Sequence, residues 1–446
     1  MQTTPSDIAP PSPSFREACQ FWLKLGCISF GGPAGQIAIM HQELVEKRRW
    51  ISEQRFLHAL NYCMVLPGPE AQQLATYLGW LLHGTRGGMI AGSLFVLPSL
   101  FLLIILSWLY IAFGSLPVVA GIFYGIKPAV TAIVIHAAHR IGSRTLKNAS
   151  LWAIAGAAFV ALFALHLPFP LIILSAAVCG YLGGRFLPQH FHAQSAHAKS
   201  SASYGAAVID DTTPSLPHAQ FSWVKFARVV LTGFVLWLIP MLSLYTIFGW
   251  QHSYTQMAWF FSKAALLTFG GAYAVLPYVM QAAVEQYAWL TPAQMIDGLA
   301  LGESTPGPLI MVLSFVGFVT AYVQALFGPE QVFLAGAFAA ILVSWFTFLP
   351  SFIFILAGAP LIKSSHHNVH LTPALTAITA AVVGVVANLA LFFGLHVIWP
   401  QGWDNKIDLT AALLTVVALF AVWKMKLHVI WVLAGCALAG LILSQI

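Results

Sequence analysis

Phe30-Gly31-Gly32-Pro33 and Leu66-Pro67-Gly68-Pro69 are helix-breaking clusters set in the middle of apolar stretches, and both return 239 residues later, as Phe269-Gly270-Gly271-Ala272 and Thr305-Pro306-Gly307-Pro308. Glycine and proline cost more than any other residue inside a helix, so four such interruptions at equivalent places cannot be incidental. Between the clusters the same shift pairs Phe21, Lys24, Val45, Glu46 and Trp50 with Phe260, Lys263, Val284, Glu285 and Trp289, and thirteen of the 49 positions from 21 to 69 are identical. Further along, Leu97-Pro98-Ser99 recurs as Leu349-Pro350-Ser351, and Pro128-Ala129-Val130-Thr131 as Pro373-Ala374-Leu375-Thr376. The chain is two copies of one unit.

The solvent of that unit follows from composition. Of 446 residues 59% are hydrophobic and 8% charged, against about 25% charged in water-soluble domains. The expected fold is an all-α polytopic membrane protein. Each copy reads as six apolar segments, in the first Phe15 to Leu44, Phe56 to Leu82, Met89 to Phe113, Val118 to Ala138, Leu151 to Leu167 and Leu171 to Phe186. The first two of each copy carry the breaks. About fourteen helical residues flank each break and reach about 20 Å, short of a bilayer core of about 30 Å, so these segments are expected to be re-entrant hairpins, with four spanning helices after them. Residues 1–14 read as a disordered tail without the features of a cleavable signal, 15–187 as the first copy, 188–250 as a polar linker with an unpaired apolar helix, and 251–446 as the second copy.

Basic residues orient the copies. With both early segments re-entrant, Arg16, Lys47, Arg48, Arg49, Arg55, Arg86, Arg140, Arg144, Lys147, Arg185, Lys199, Lys225 and Arg228 share one face, which should be cytoplasmic. The unpaired helix then starts the second copy from the other side, and its Lys363, Lys424 and Lys426 return to the cytoplasmic face; Lys406, between Asp404 and Asp408, is the exception. Two inverted-topology repeats, with a cytoplasmic N-terminus and a periplasmic C-terminus, are expected.

Non-helical backbone at membrane depth is tolerated only inside protein or around a solvated cavity. The residues after each break start a half-helix whose free N–H groups and positive dipole end suit an anion. Candidate binding residues are therefore Gly31, Gly32, Pro33, Pro67, Gly68, Pro69, Gly270, Gly271, Pro306, Gly307 and Pro308, with Gln72, Gln73, Thr268 and Thr305 as neutral donors. Lys24 and Lys263, at equivalent positions in apolar helix, either snorkel to the interface or face a dianion. Glu70 and Glu303 flank the breaks; each could carry a coupling proton, and Glu70 could instead cap its half-helix.

Other chemistry is poorly represented. Cys19, Cys27, Cys63, Cys179 and Cys436 stand singly, as packing residues. His190, His192, His197 and His218 are irregularly spaced in the linker, as in a solvated loop. No Ser/His or metal-ligand constellation at helical spacing suggests an enzyme, and nothing calls for a cofactor, a metal or nucleic acid. There is no phosphate loop for ATP; about 2.3 kcal/mol per charge per 100 mV gives a departing dianion about 7 kcal/mol at 150 mV, enough for a secondary mechanism.

Phe30-Gly31-Gly32-Pro33, Val45-Glu46, Trp50, Leu66-Pro67-Gly68-Pro69 and Phe95-Val96-Leu97-Pro98-Ser99, with Thr268-Phe269-Gly270-Gly271, Trp289, Thr305-Pro306-Gly307-Pro308 and Leu349-Pro350-Ser351-Phe352, resemble the chromate transporter family in its long, two-domain form. That resemblance implies export of chromate from the cytoplasm across the bacterial inner membrane, energised by the proton motive force. Sulfate, another tetrahedral dianion, is the nearest alternative substrate, and a passive anion channel the alternative mechanism; a homodimer is left open. Ala272 stands where the first copy has Pro33, so the copies need not bind equally.

Overall fold

The computed structural model describes residues 9–30, 32–191, 204–211, 213, 217–360, 372–400, 402 and 406–444. Gly31, His192, His197, Lys199, Lys363 and Asp404 lie outside them, as does most of the tail. Apart from one isolated bridge between Ile51 and Ile209, the described residues form helices and their connections. The first copy gives α1 (Phe15–Ile28), α2 (Gly32–His41), α3 (Glu53–Val65), α4 (Glu70–Phe113), α5 (Pro117–Thr145), α6 (Ala149–Phe163) and α7 (Phe169–Phe186). After a short α8 (Pro188–Phe191) and the linking α9 (Trp223–Phe248), the second copy gives α10 (Ser253–Leu267), α11 (Ala272–Met280), α12 (Pro292–Ser304), α13 (Val312–Val323), α14 (Val332–Gly358), α15 (Thr372–Ile398), α16 (Leu409–Trp423) and α17 (Val429–Leu443).

The copies share local devices as well as order. α2 and α11 each run into a π-helical turn, Gln42–Lys47 and Gln281–Gln286. The residues that follow, Arg49 and Ala288, both adopt φ of 49°. Ser52 and Thr291 then cap α3 and α12 by accepting from Arg55 N and Gln294 N, the side-chain oxygen taking a donor the helix start leaves open.

The broken segments fold back on themselves. Arg48, at the end of the second leg, reaches Glu17 at the start of α1 (3.3 Å) and lies over the Phe21 and Trp50 rings. Phe21 and Trp50 meet at 5.6 Å, and their counterparts Phe260 and Trp289 at 5.9 Å. In the next pair α3 turns at residues 66–69 into the first part of α4, and His83 comes back beside Phe15, with ring centroids 5.5 Å apart. His83 and Gly84 leave helical geometry, Gly84 at φ 63°, and this is where the hairpin leg ends and the rest of α4 begins. The second copy closes likewise, Ser253 Oγ donating to Gln324 Oε1 at 2.6 Å.

Among the described residues six helices are long and apolar enough to cross a membrane: α4, α5, α7, α9, α14 with its preceding turn, and α15. The four helices expected after the hairpins of each copy are present, and they differ in length. α6, α16 and α17 have fifteen residues each, about 22 Å, below the thickness of a bilayer core. α6 is cut short by Leu167-Pro168-Phe169-Pro170, with His166 at φ 48°, and the chain turns at the matching place after α16, with Lys426 at φ 53°. α9 carries exposed Trp223, Val224, Leu231, Phe234, Ile239 and Ile247, a surface suited to lipid.

Packing between copies is reciprocal. α5 lies against α16 and α17, and its counterpart α15 against α6 and α7. Small residues allow the approach: a Cβ on Gly125 of α5 would lie 1.9 Å from the Cys436 carbonyl of α17, and one on Gly180 of α7 would lie 2.5 Å from the Ala377 Cβ of α15. α5 and α15 also touch, Thr131 beside Gly394 and Gly142 beside Val383. Residue numbers rise along one helix as they fall along the other, so these two equivalent helices are antiparallel.

Candidate functional site

The interruptions meet in two pairs, each joining the copies. Gly68 N–H donates to the Thr268 carbonyl at 2.7 Å, and Gly307 N–H donates to the Ser29 carbonyl at 2.8 Å. Gly68 and Gly307 are equivalent, as are Ser29 and Thr268, so each Pro-Gly-Pro turn is tied to the Gly-Gly break of the other copy by the same bond. Ser29 and Thr268 have turned their hydroxyls back onto the Leu25 and Ala264 carbonyls of their own helices, both at 2.6 Å. That leaves their backbone carbonyls for the cross-copy bonds.

Glycine is required at these turns. Gly68 has φ 130° and Gly307 φ 106°, a region that L residues seldom enter. A Cβ on Gly68 would lie 2.5 Å from Ser351 Oγ, and one on Gly307 would lie 2.6 Å from Ser99 Cβ. Ser99 and Ser351, from α4 and α14, are again equivalents; each presses its hydroxymethyl group against the other copy's turn. Gly32, Gly270 and Gly271 also have positive φ.

Around this centre buried polar atoms make no hydrogen bond to the described residues: Ser99 Oγ, Ser351 Oγ, Gln36 Oε1, Gln72 Oε1 and Gln73 Oε1. The amide nitrogens of the three glutamines are partnered, two by backbone carbonyls and one by a hydroxyl. Gln73 Nε2 donates to the Pro67 carbonyl at 2.7 Å, Gln36 Nε2 to the Gly307 carbonyl, and Gln72 Nε2 to Thr76 Oγ1 at 3.0 Å. An unmade hydrogen bond on a buried group costs about 1–3 kcal/mol, so each of these atoms gains from a polar neighbour, whether water or an anion.

The carboxylates divide. Glu70 starts α4 directly after Pro69 and points its Oε1 at Gly271, 3.9 Å from where a Cβ would stand; a carboxyl group thus lies beside the α11 N-terminus, which no side chain caps. Glu303 is buried, accepts a hydrogen bond from Tyr273 Oη, and feels the charge of Arg140. Pro33, Pro69, Pro306 and Pro308 flank the turns, while Thr305 Oγ1 is spent on the Gly302 carbonyl.

The two lysines sit apart from this cluster. Lys24 is exposed, and its charge acts on Glu43 near the base of the first hairpin. Lys263 is partly buried, its Nζ 5.7 Å from the centre of the Trp259 ring. Sequence reasoning missed Gln36, Ser99, Ser351 and Tyr273. For the serines a signal was present, since Leu-Pro-Ser recurs in both copies; Gln36 corresponds to Val275 and Tyr273 to Ala34, so no repeat points to them.

The chromate transporter family model matches residues 16–181 and 255–441. Similar curated proteins include the chromate transport protein of Pseudomonas aeruginosa, 31% identical over 98% of this chain and 94% of its own length, and that of Cupriavidus metallidurans, 27% identical over 97% and 94%. A probable chromate transport protein of Synechococcus elongatus is 28% identical over 97% and 96%. No solved structure matches the chain. Both copies, with every interruption described above, fall within these matches: the chain belongs to the chromate transporter family.

Proposed function

We propose that this chain is a secondary transporter that carries chromate out of the cytoplasm, binding the dianion where the four interruptions meet. The reciprocal pair of bonds, Gly68 to Thr268 and Gly307 to Ser29, carries this reading. It ties each Pro-Gly-Pro turn to the other copy's break, with Ser351 and Ser99 against the two turns, and this supports a site shared by half-helix N-termini and hydroxyls of both copies. Positive helix ends and neutral donors suit a dianion that must also leave, since a full ion pair would hold it too well.

Inverted topology is part of the proposal. It is supported by the antiparallel contact of α5 with α15 and by the placement of basic residues. With two inverted repeats, exchanging the conformations of the copies exchanges the side on which the site opens. The copies do differ: every residue of α11 is buried, whereas in α2 only Gln36 and Met40 are. The first copy's hairpins, on the cytoplasmic side in this topology, are the more open.

Glu70 supplies the coupling. Its carboxylate rests by the α11 N-terminus, the same kind of position an anion would take, so substrate entry requires it to be neutralised or displaced, which links transport to a proton. Lys24, exposed on the cytoplasmic hairpin, gathers dianions at the entrance. Lys24→Ala should therefore lower the initial rate several-fold at low ionic strength and much less at 0.5 M salt, where the Debye length falls to about 4 Å. An equal loss at both salt levels would place Lys24 in the binding site instead.

Uptake of radiolabelled chromate into inverted membrane vesicles tests the function. Accumulation against a gradient, abolished by collapsing the membrane potential and pH gradient and weakly competed by sulfate, is the expected outcome. Equilibration that stops at equal concentrations would mean a channel, and stronger inhibition by sulfate a sulfate carrier. In the same assay Ser99→Ala with Ser351→Ala should raise the KM at least about a hundredfold, two lost hydrogen bonds to a charged ligand at about 1.5–3 kcal/mol each. An unchanged KM would remove the serines from the site.

A further inference from the structure

A second polar cluster lies away from the interruptions. Lys127, eleven residues into α5, is about 15 Å along the helix from its start. Its Nζ stands 3.5 Å from Asp297 Oδ2 on α12, and Tyr110 Oη from α4 donates to the same oxygen at 2.9 Å. Asp297 is 3% exposed and its Oδ1, buried, has no hydrogen-bond partner. Lys127 is also on the wall of two clefts, of about 630 and 280 Å³, the first reaching Pro117, Thr410 and Ser444 and the second Thr291, His396 and Asp408. Tyr124 lines both and donates to Asp408, 2.9 Å from each carboxylate oxygen.

The pair spans the two copies and has no symmetry-related counterpart. Aligning Pro128 with Pro373 puts Thr372 opposite Lys127, and the 239-residue shift puts His58 opposite Asp297. A buried ion pair is a poor source of stability, since desolvating the two charges offsets their attraction, and charged side chains inside a membrane segment mark ion pathways. The clefts open among the start of α5, the start of α12 and the end of α17, the end of the molecule opposite to the Glu17–Arg48 contact in the topology above.

We infer that Lys127 and Asp297 form a second, proton-linked oxyanion site on the exit side: a tetrahedral dianion in the cleft binds Lys127 when Asp297 is protonated, and deprotonation restores the Lys127–Asp297 pair and expels it. The proton moves between Asp297 and cleft water, and no covalent bond to the anion forms. Asp297 is met by Tyr110 on α4 and Lys127 on α5, and the cleft beside Lys127 also carries Tyr124 on α5, His396 on α15 and Asp408 at the start of α16. Phe315 of α13 adds an aromatic wall against Tyr110, and α17 brings Cys436 against the far side of α5. Lys127 is the one lysine or arginine of this set.

This inference rests on the oxyanion reading of the chain, and the test separates the two. Radiolabelled chromate is titrated by equilibrium dialysis onto the purified full-length protein in detergent at pH 5.5 and 8.5, affinities being referred to the concentration of the chromate dianion because much of the anion is hydrogen chromate at the lower pH, with thermal unfolding as the check on folding. Wild type should bind two anions per chain at the lower pH and lose one at the higher. Lys127→Met should bind one at both, Lys127→Arg should behave as wild type, and Asp297→Asn should keep two at both, its second-site affinity changing less than about twofold between them. Should Lys127→Met fail to fold, Asp297→Asn decides alone. Two anions retained by Lys127→Met, or a second anion still lost at pH 8.5 by Asp297→Asn, overturns the inference while the central site stands. Folded wild type that binds no chromate at either pH overturns the oxyanion reading itself.

Discussion

Gly68→Ala and Gly307→Ala should each reduce chromate uptake in vesicles by at least about a hundredfold, with the folded protein still inserted. Both positions hold positive φ, which an L side chain enters at a cost of about 1–2 kcal/mol. Both would also drive a methyl group into the other copy, at 2.5 Å from Ser351 Oγ or 2.6 Å from Ser99 Cβ, and overpacking adds about 1–3 kcal/mol. The strain falls on one point, the backbone bond that ties the turn to Thr268 or Ser29, so the expected loss is of site geometry first. Gly32→Ala is the control: it shares a positive φ, but a Cβ there meets nothing within 4 Å, and a smaller effect, about tenfold or less, is expected. Equal losses in all three would mean that backbone strain alone, and not contact between the copies, is responsible.

Gly125→Leu should have the largest effect on assembly. A Cβ at this position would stand 1.9 Å from the Cys436 carbonyl and 2.8 Å from Gly440 N, backbone atoms that no rotamer change can move. The α5–α17 contact is one half of the reciprocal packing that joins the copies, so separating these helices also disturbs α15 against α6 and α7. We expect a stability loss of about 3 kcal/mol, the upper end for overpacking in a core, seen as a lowered unfolding temperature and depleted protein in the membrane. Gly156→Leu on α6, where a Cβ would meet nothing within 4 Å, should be tolerated. Similar losses from both would argue against a close inter-copy seam.

The outline of the fold was legible because its determinants are local. Prolines and glycines break helices wherever they occur, and the repeat of those breaks, together with Lys24 and Lys263, Trp50 and Trp289 at matching positions, marks two copies without any three-dimensional information. Helix lengths were less legible. Leu151 to Leu167 is apolar throughout, yet α6 stops at Phe163 because Pro168 and Pro170 shape the turn; hydropathy counts residues and not hydrogen bonds.

The site was legible in its backbone and not in its side chains. Glycines that permit an interruption announce themselves, but which polar groups surround it depends on the face each helix offers to the other copy. Ser99 and Ser351 meet Gly307 and Gly68 only because α4 and α14 pack across the boundary. Lys24 was visible as a charge in apolar sequence, and its direction, outward from α1 and toward Glu43, was not. Lys127 was hidden for the same reason: the partner that gives it meaning, Asp297, is on the other copy.

The location of bound chromate tests the account most directly. Chromium anomalous scattering from crystals grown with chromate should give a peak between Gly68 and Gly307, within hydrogen-bonding reach of Ser99 and Ser351 hydroxyls, whether or not a second peak lies beside Lys127. Chromium found only against the Lys24 and Lys263 ammonium groups, with none where the interruptions meet, would contradict it.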